Sequence, residues 1–223
     1  MTAVFVTATG TGVGKTFVAV GLIRHLRSAG RAVDAIKPVV SGFDGGEDSD
    51  PARLLAALGR SVSDEEVAQM SPWRFRAPLS PDMAARREQR AIAFAEVVEF
   101  CRGAMAQRRG ALLIEGIGGI MVPLDDRHSV LDLMSLLRIP IVLLAGSYVG
   151  TISHTLTSLE VLARRNLDIG AVVVSESEGS AASLAETVAA VERFAASIDV
   201  IGLPRLPPGA GEHPAFARLA ALL

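Results

Sequence analysis

Ala3-Val4-Phe5-Val6-Thr7-Ala8-Thr9-Gly10-Thr11-Gly12-Val13-Gly14-Lys15-Thr16-Phe17-Val18 joins an apolar run to a glycine-rich turn and the start of an amphipathic helical pattern. The run at 3–7 has the length and make-up of a buried strand. Glycine tolerates backbone conformations and close approaches that side chains block, so the N–H groups of Gly12, Val13 and Gly14 can converge on an anion. A helix over 15–29, closed by Gly30, adds the positive end of its dipole. Lys15 is then placed to bridge β- and γ-phosphates, and the Thr16 hydroxyl to hold Mg²⁺. The spacing Gly-x-x-x-x-Gly-Lys-Thr is broken at its first position, where Thr9 stands. Strand, turn, Lys-Thr and helix together are the physical recipe for a nucleoside triphosphate site.

Outward from this stretch, short apolar runs recur at 32–37, 111–115, 139–144, 171–174 and 200–203. Helical patterns fall between them at 93–109, 130–138, 153–166 and 180–196. Regular alternation of this kind implies right-handed βαβ units and an α/β, P-loop NTPase-like fold: a mostly parallel central sheet with helices on both faces. Ligands then bind at the carboxyl ends of the strands. The rhythm breaks over 41–81, where Gly42, Gly45, Gly46, Pro51, Pro72, Pro78 and Pro81 surround two short helices, and Ser63 to Glu66 reads as a capping box for the second. An excursion of that length suggests a substrate-facing loop.

Half of the 223 residues are hydrophobic and the formal net charge is −2. A chain of this length can bury about 70 to 75 % of its unfolded surface in one core, and a single domain over 1–223 is expected. The charge carries no basic stripe, which argues against nucleic acid as a partner. Cys101 stands alone, so neither a disulfide framework nor zinc spacing is present. No apolar run is long enough to span a bilayer, and the N-terminus enters a strand directly; a soluble, cytoplasmic protein with no membrane partner is expected.

Only two lysines occur, Lys15 and Lys37, against twenty arginines. Each follows an apolar run near the N-terminus. Lysine persists most readily where a compact ammonium on a thin stem is needed and a planar guanidinium does not fit, as in a phosphate-cradling loop. Mg²⁺ on a triphosphate also calls for carboxylates. Glu115 ends the run at 111–115 and is followed by Gly116-Ile117-Gly118-Gly119. Asp50 is a second candidate, equally readable as a plain helix N-cap, with Asp48 as its nearest competitor.

Taken together, several segments resemble one family, the dethiobiotin synthetases. They are Thr11-Gly12-Val13-Gly14-Lys15-Thr16, Lys37-Pro38-Val39 with Ser41-Gly42, Ser49-Asp50, Pro78-Leu79-Ser80-Pro81, Glu115-Gly116 with Gly118-Gly119, Gly150-Thr151-Ile152 before His154, and Gly202-Leu203-Pro204. The resemblance implies ring closure of 7,8-diaminononanoate with CO₂ to dethiobiotin, using ATP and Mg²⁺, by way of a carbamate and a carbamic-phosphoric mixed anhydride. It implies catalytic roles for Lys37, Lys15 and Thr11, and nucleotide contacts from Gly12, Val13, Gly14, Lys15, Thr16, Phe17, Glu115, Gly116, Ile117 and Gly118. Ser175, Glu176, Pro204, Arg205 and Leu206 would frame the base. Thr16, Asp50 and Glu115 would hold the metal, and Ser41, Gly118, Gly150, Thr151, Ile152 and Ser153 the substrate. It further implies a homodimer, with the substrate's carboxylate tail at the interface.

Three positions depart from the family pattern. Ala8 replaces a glycine common before the loop, Gly12 stands where many members carry an acid, and Ser175 stands where an asparagine often reads the adenine edge. An alternative is a deviant P-loop ATPase acting as a dimeric switch, but that group carries a lysine early in the loop, where this chain has Gly10. Amidoligases of the cobalamin pathway would bring a glutamine-hydrolysing domain with a nucleophilic cysteine.

Overall fold

The computed structural model describes residues 3–195, 198–206 and 212–223. In chain order the first elements are β1 (Ala3–Ala8), α1 (Lys15–Ser28), β2 (Val33–Ile36) and β3 (Val39–Ser41). Next come α2 (Asp50–Leu58), α3 (Asp64–Met70), β4 (Trp73–Phe75) and α4 (Pro81–Arg87). The remainder is α5 (Phe94–Gln107), β5 (Ala111–Glu115), α6 (Val130–Leu137), β6 (Ile141–Gly146), α7 (Thr151–Arg164), β7 (Ile169–Ser175), α8 (Leu184–Glu192), β8 (Asp199–Leu203) and α9 (Pro214–Ala220).

Six strands form one sheet in the order β2-β5-β1-β6-β7-β8, and every pairing is parallel. Side chains along a strand point alternately to the two faces, so an apolar run with no polar alternation must be covered on both. That is the observed packing. Val4, Val6, Leu113, Val142, Leu144 and Val173 pack with α1, α2 and α9, whereas Phe5, Leu112, Ile114, Leu143, Val172 and Val174 pack with α5, α6 and α7. The expected α/β architecture is therefore present. Among the described residues no helix is long and apolar enough to cross a membrane.

Within 41–81 the two short helices are α2 and α3, but half of the expected capping box is missing. The Ser63 hydroxyl accepts from the Glu66 N–H at 3.2 Å, while the Glu66 carboxylate pairs with Arg60. The parallel ribbon β3–β4, with Val39 opposite Trp73 and Ser41 opposite Phe75, was not expected. Around it the Lys37 N–H donates to Met70 O at 3.2 Å and the Trp73 N–H to Pro38 O at 3.1 Å, so both ends of the excursion are fastened beside the end of β2.

Two helix starts differ from the sequence reading. Helix α7 begins at Thr151, not 153, because Gly150 adopts φ 96° and the Thr151 hydroxyl donates to Gly146 O at 2.7 Å, tying the first turn to the end of β6. Helix α8 begins at Leu184 instead of 180: the true capping box is Ser183 with Glu186, and Ser180 turns back to bond the Ser147 carbonyl. It ends at Glu192, and residue 196, where the pattern was read to stop, lies outside the described residues.

Candidate active site

The turn after β1 holds Gly12 at φ 76° and Gly14 at φ 94°, left-handed conformations that favour glycine. Gly14 is the N-cap of α1 and makes no side-chain cap. Among the described residues, the N–H groups of Gly12, Val13, Gly14, Lys15 and Thr16 have no acceptor. Five free donors over a helix N-terminus make an anion nest.

Sheet order brings the distant residues to this nest. β5 lies between β1 and β2, so Glu115 at its carboxyl end stands between the loop after β1 and Lys37 after β2. Lys37 is 3 % exposed and Glu115 1 %. The Lys37 ammonium lies 2.5 Å from Glu115 Oε1 and 2.6 Å from Asp50 Oδ2, while the Thr16 hydroxyl donates to the same Glu115 oxygen at 2.7 Å. Lys15 donates to Gly118 O at 2.8 Å and Gly10 O at 3.2 Å. Asp50 rather than Asp48 reaches the cluster; the Asp48 side chain is fully exposed and pairs with Arg53.

Burial would depress the Lys37 pKa, but the charges of Glu115 and Asp50, with their hydrogen bonds, outweigh it and hold it above the ordinary lysine value. Burial opposes ionisation of Asp50 too, and there the Lys37 ammonium prevails and lowers its pKa. Lys15 lacks a close carboxylate. Burial, reinforced by the Lys37 charge, lowers its pKa to about 8.

Glu115 Oε2 is buried and has no partner. An orphaned carboxylate oxygen is costly unless something else binds it. Together with the Thr16 hydroxyl and Asp50, it is a donor set suited to a small, hard divalent cation. Among the described residues no group of three acidic, His or Cys side chains forms a protein cage. That suits Mg²⁺, which keeps several waters and shares phosphate oxygens instead of filling an all-protein site.

Two clefts meet over the loop. One of about 300 Å³ is lined by Thr11, Lys15, Thr16, Lys37, Ser41 and Asp50, among others, with Ile117 and Gly118. The other, about 400 Å³, is lined by Val13, Ser175, Glu176, Pro204, Arg205 and Leu206. Gly12, Gly14 and Phe17 border both, so the two adjoin across the loop. In the second, Glu176 accepts the Arg205 N–H at 2.9 Å, which fixes the loop after β8 against the end of β7. A larger cavity of about 780 Å³ follows the open edge of β2 but is lined by none of Lys15, Lys37, Asp50 and Glu115.

Not every candidate gathers here. Gly116 donates to Val6 O at 2.9 Å and packs against the Phe5 ring, so it supports the strands and lines neither cleft. Gly150 caps α7, and Thr151, Ile152 and Ser153 begin that helix, also outside both clefts. The Thr151 N–H is already given to Tyr148 O at 3.1 Å, which leaves those of Ile152 and Ser153 without an acceptor among the described residues. Arg53 lines the first cleft and was missed. Its spacing of three from Asp50 on one helix was the available signal.

A family model described as an AAA domain, AAA_26, matches residues 2–210. The ATP-dependent dethiobiotin synthetase BioD of Acidiphilium cryptum (strain JF-5) is 49 % identical over 177 residues, covering 78 % of this chain and 79 % of its own. That of Caulobacter vibrioides (strain NA1000 / CB15N) is 47 % identical over 208 residues, covering 92 % and 93 %. The chain belongs to the dethiobiotin synthetase family. As a member of the dethiobiotin synthetase family it is an enzyme, a ligase of the ring-closing kind. Solved structures match it at the level of fold. The MinC:MinD cell division protein complex of Aquifex aeolicus gives a TM-score of 0.59 at 13 % identity, covering 100 % of this chain and 93 % of that one. The cell division ATPase MinD of Pyrococcus furiosus gives 0.58 at 16 %, covering 100 % and 98 %.

Proposed function

We propose that this dethiobiotin synthetase-family chain, acting as one domain in a cytoplasmic homodimer, converts 7,8-diaminononanoate, CO₂ and ATP into dethiobiotin, ADP and phosphate with the help of Mg²⁺. The observation that carries the proposal is the quartet of buried Lys15, Lys37 and Glu115 with half-buried Asp50, beside a free anion nest. A carbamate and a triphosphate repel each other, so a site that joins them must place cations between them in a water-poor cleft.

One substrate amine adds to CO₂ and loses a proton, giving the carbamate. A carbamate oxygen then bonds to the γ-phosphorus as the bond to the β,γ-bridging oxygen breaks, and ADP departs. The second amine attacks the carbamoyl carbon, the C–O bond to phosphate breaks, and phosphate leaves with the amine proton. The nest and Lys15 hold the phosphates, Lys37 neutralises the carbamate against the γ-phosphoryl group, and Thr11 and Ser41 orient the diamine. Thr16, Asp50 and Glu115 would hold Mg²⁺, which would supply charge neutralisation to the triphosphate. The substrate's carboxylate tail is assigned to Gly150, Thr151, Ile152 and Ser153 at the dimer interface, where the Ile152 and Ser153 N–H groups offer donors.

The test is phosphate release with Mg²⁺-ATP alone and then with diaminononanoate and bicarbonate. Release should depend on the diamine; indifference to it would sink the ligase reading.

Base choice should be loose. Ser175 offers one small hydroxyl at the base cleft, so turnover with ATP and with CTP is expected to differ by no more than about a hundredfold, the worth of one contact of roughly 3 kcal/mol. A much larger ratio would show that another group reads the base.

Nucleotide affinity should also fall at alkaline pH. The ligand-free Lys15 has a pKa of about 8, and a neighbouring triphosphate favours its charged form, so binding takes up a proton. Affinity is full below that value and declines as pH rises through it. Titration calorimetry in buffers of differing ionisation enthalpy should detect the uptake; a constant affinity from about pH 7 to 9.5 would contradict it.

A further inference from the structure

We infer that Arg53 is an anion-binding residue of the same site, exchanging Asp48 for the γ-phosphoryl group of the bound nucleotide. The inference rests on the reading of the cleft as an ATP site. Arg53 follows Asp50 by three residues on α2, which places both on neighbouring positions of one helix face, and both line the 300 Å³ cleft with Lys15, Lys37 and Thr11. The helix that carries them is anchored by buried Pro51, Ala52, Leu54 and Leu55, so a change of partner needs only the side chain to move.

Its present partner holds it weakly. The Arg53–Asp48 contact is 3.4 Å long, with side chains 56 % and 100 % exposed. An exposed pair of this kind contributes little, because water and salt compete for both charges. By contrast, both lysines of the cleft are buried, and Lys37 lies between two carboxylates.

Charge balance makes a further cation useful. Lys15 and Lys37 are offset by Asp50 and Glu115, so the quartet is formally neutral before any ligand arrives. A triphosphate and a carbamate together bring several negative charges. Among the described residues lining the cleft, Arg53 is the only arginine. A planar guanidinium can bond two phosphoryl oxygens at once, which an ammonium cannot. In the transfer step the bond from the carbamate oxygen to the γ-phosphorus forms while that to the ADP oxygen breaks. Charge then spreads over the equatorial oxygens, and an arginine there stabilises it.

The experiment compares Mg²⁺-ADP with the Mg²⁺ complex of the non-hydrolysable β,γ-imido analogue of ATP, by titration calorimetry on wild type, Arg53→Ala and Arg53→Lys. For Arg53→Ala, ADP affinity should stay within about twofold while analogue affinity falls at least about tenfold and turnover at least about a hundredfold, in keeping with the worth of an arginine at a transferring phosphoryl group. Arg53→Lys should restore less than half of the lost turnover, since charge returns without the fork. Asp48→Asn, which removes the competing anion, should tighten the analogue and leave ADP unchanged. Equal weakening of both nucleotides in Arg53→Ala, or of neither, overturns the assignment. A wild-type chain that binds neither nucleotide overturns the ATP reading of the cleft itself.

Discussion

Lys37→Arg should lose at least about a hundredfold in turnover, the scale set by removing one preorganised electrostatic contact, while the affinity for Mg²⁺-ADP changes only a few-fold. The substitution keeps the charge, so Glu115 is not left as an uncompensated buried anion, an outcome that would cost several kcal/mol and confuse folding with chemistry. What it changes is shape. Lys37 is only 3 % exposed and its ammonium lies within 2.6 Å of two carboxylates, in a space where a planar fork must push one of them aside. The nest of N–H groups after β1 is untouched, which is why ADP should still bind. Single-turnover phosphate release with the diamine and bicarbonate, set beside ADP titration, separates the two effects. Unchanged turnover would remove Lys37 from the mechanism.

The second large effect concerns stability. Gly21→Ala would ordinarily favour a helix by up to about 1 kcal/mol. Here the added methyl would lie 2.1 Å from one carbon of the Phe216 ring and within 2.8 Å of two more. Phe216 is fully buried between α9 and α1, so its ring has nowhere to swing. Overpacking of this sort costs about 1 to 3 kcal/mol or more and should prevail. A net loss of about 2 kcal/mol corresponds to a fall of roughly 4 to 8 °C in melting temperature for a chain of this size. Adding Phe216→Leu to Gly21→Ala should recover part of the loss, because the two changes share one contact. A rise in melting temperature for Gly21→Ala alone would refute the close packing.

The glycine-rich turn and the strand alternation were legible because each rests on local rules: glycine where φ is positive, unbroken apolar runs where a strand is covered on both faces. The approach of Lys37 to Glu115 was not. The residues stand 78 apart in sequence, and their contact depends on β5 inserting between β1 and β2, a matter of sheet order that periodicity does not encode. Asp50 and Asp48 could not be separated by sequence for a related reason, since which carboxylate turns inward depends on where α2 is anchored. The ribbon β3–β4 escaped because three-residue strands leave almost no pattern and are stabilised by pairing with a distant segment. Ser180 looked like a helix start from composition, but Ser183 holds the reciprocal bonds with Glu186 that define the cap.

That ribbon makes the excursion a cassette. Its two ends are stapled together at Val39 and Trp73, beside the strand that delivers Lys37, and α2 between them is packed into the core, so the exposed tip before α2 is held from both sides. Gly45 stands within it at φ 82° with open space where a side chain would be. A short tag or a dye-bearing peptide spliced in after Gly45 should therefore be tolerated without shifting Lys37, and would give a handle for watching α2 respond as the cleft fills.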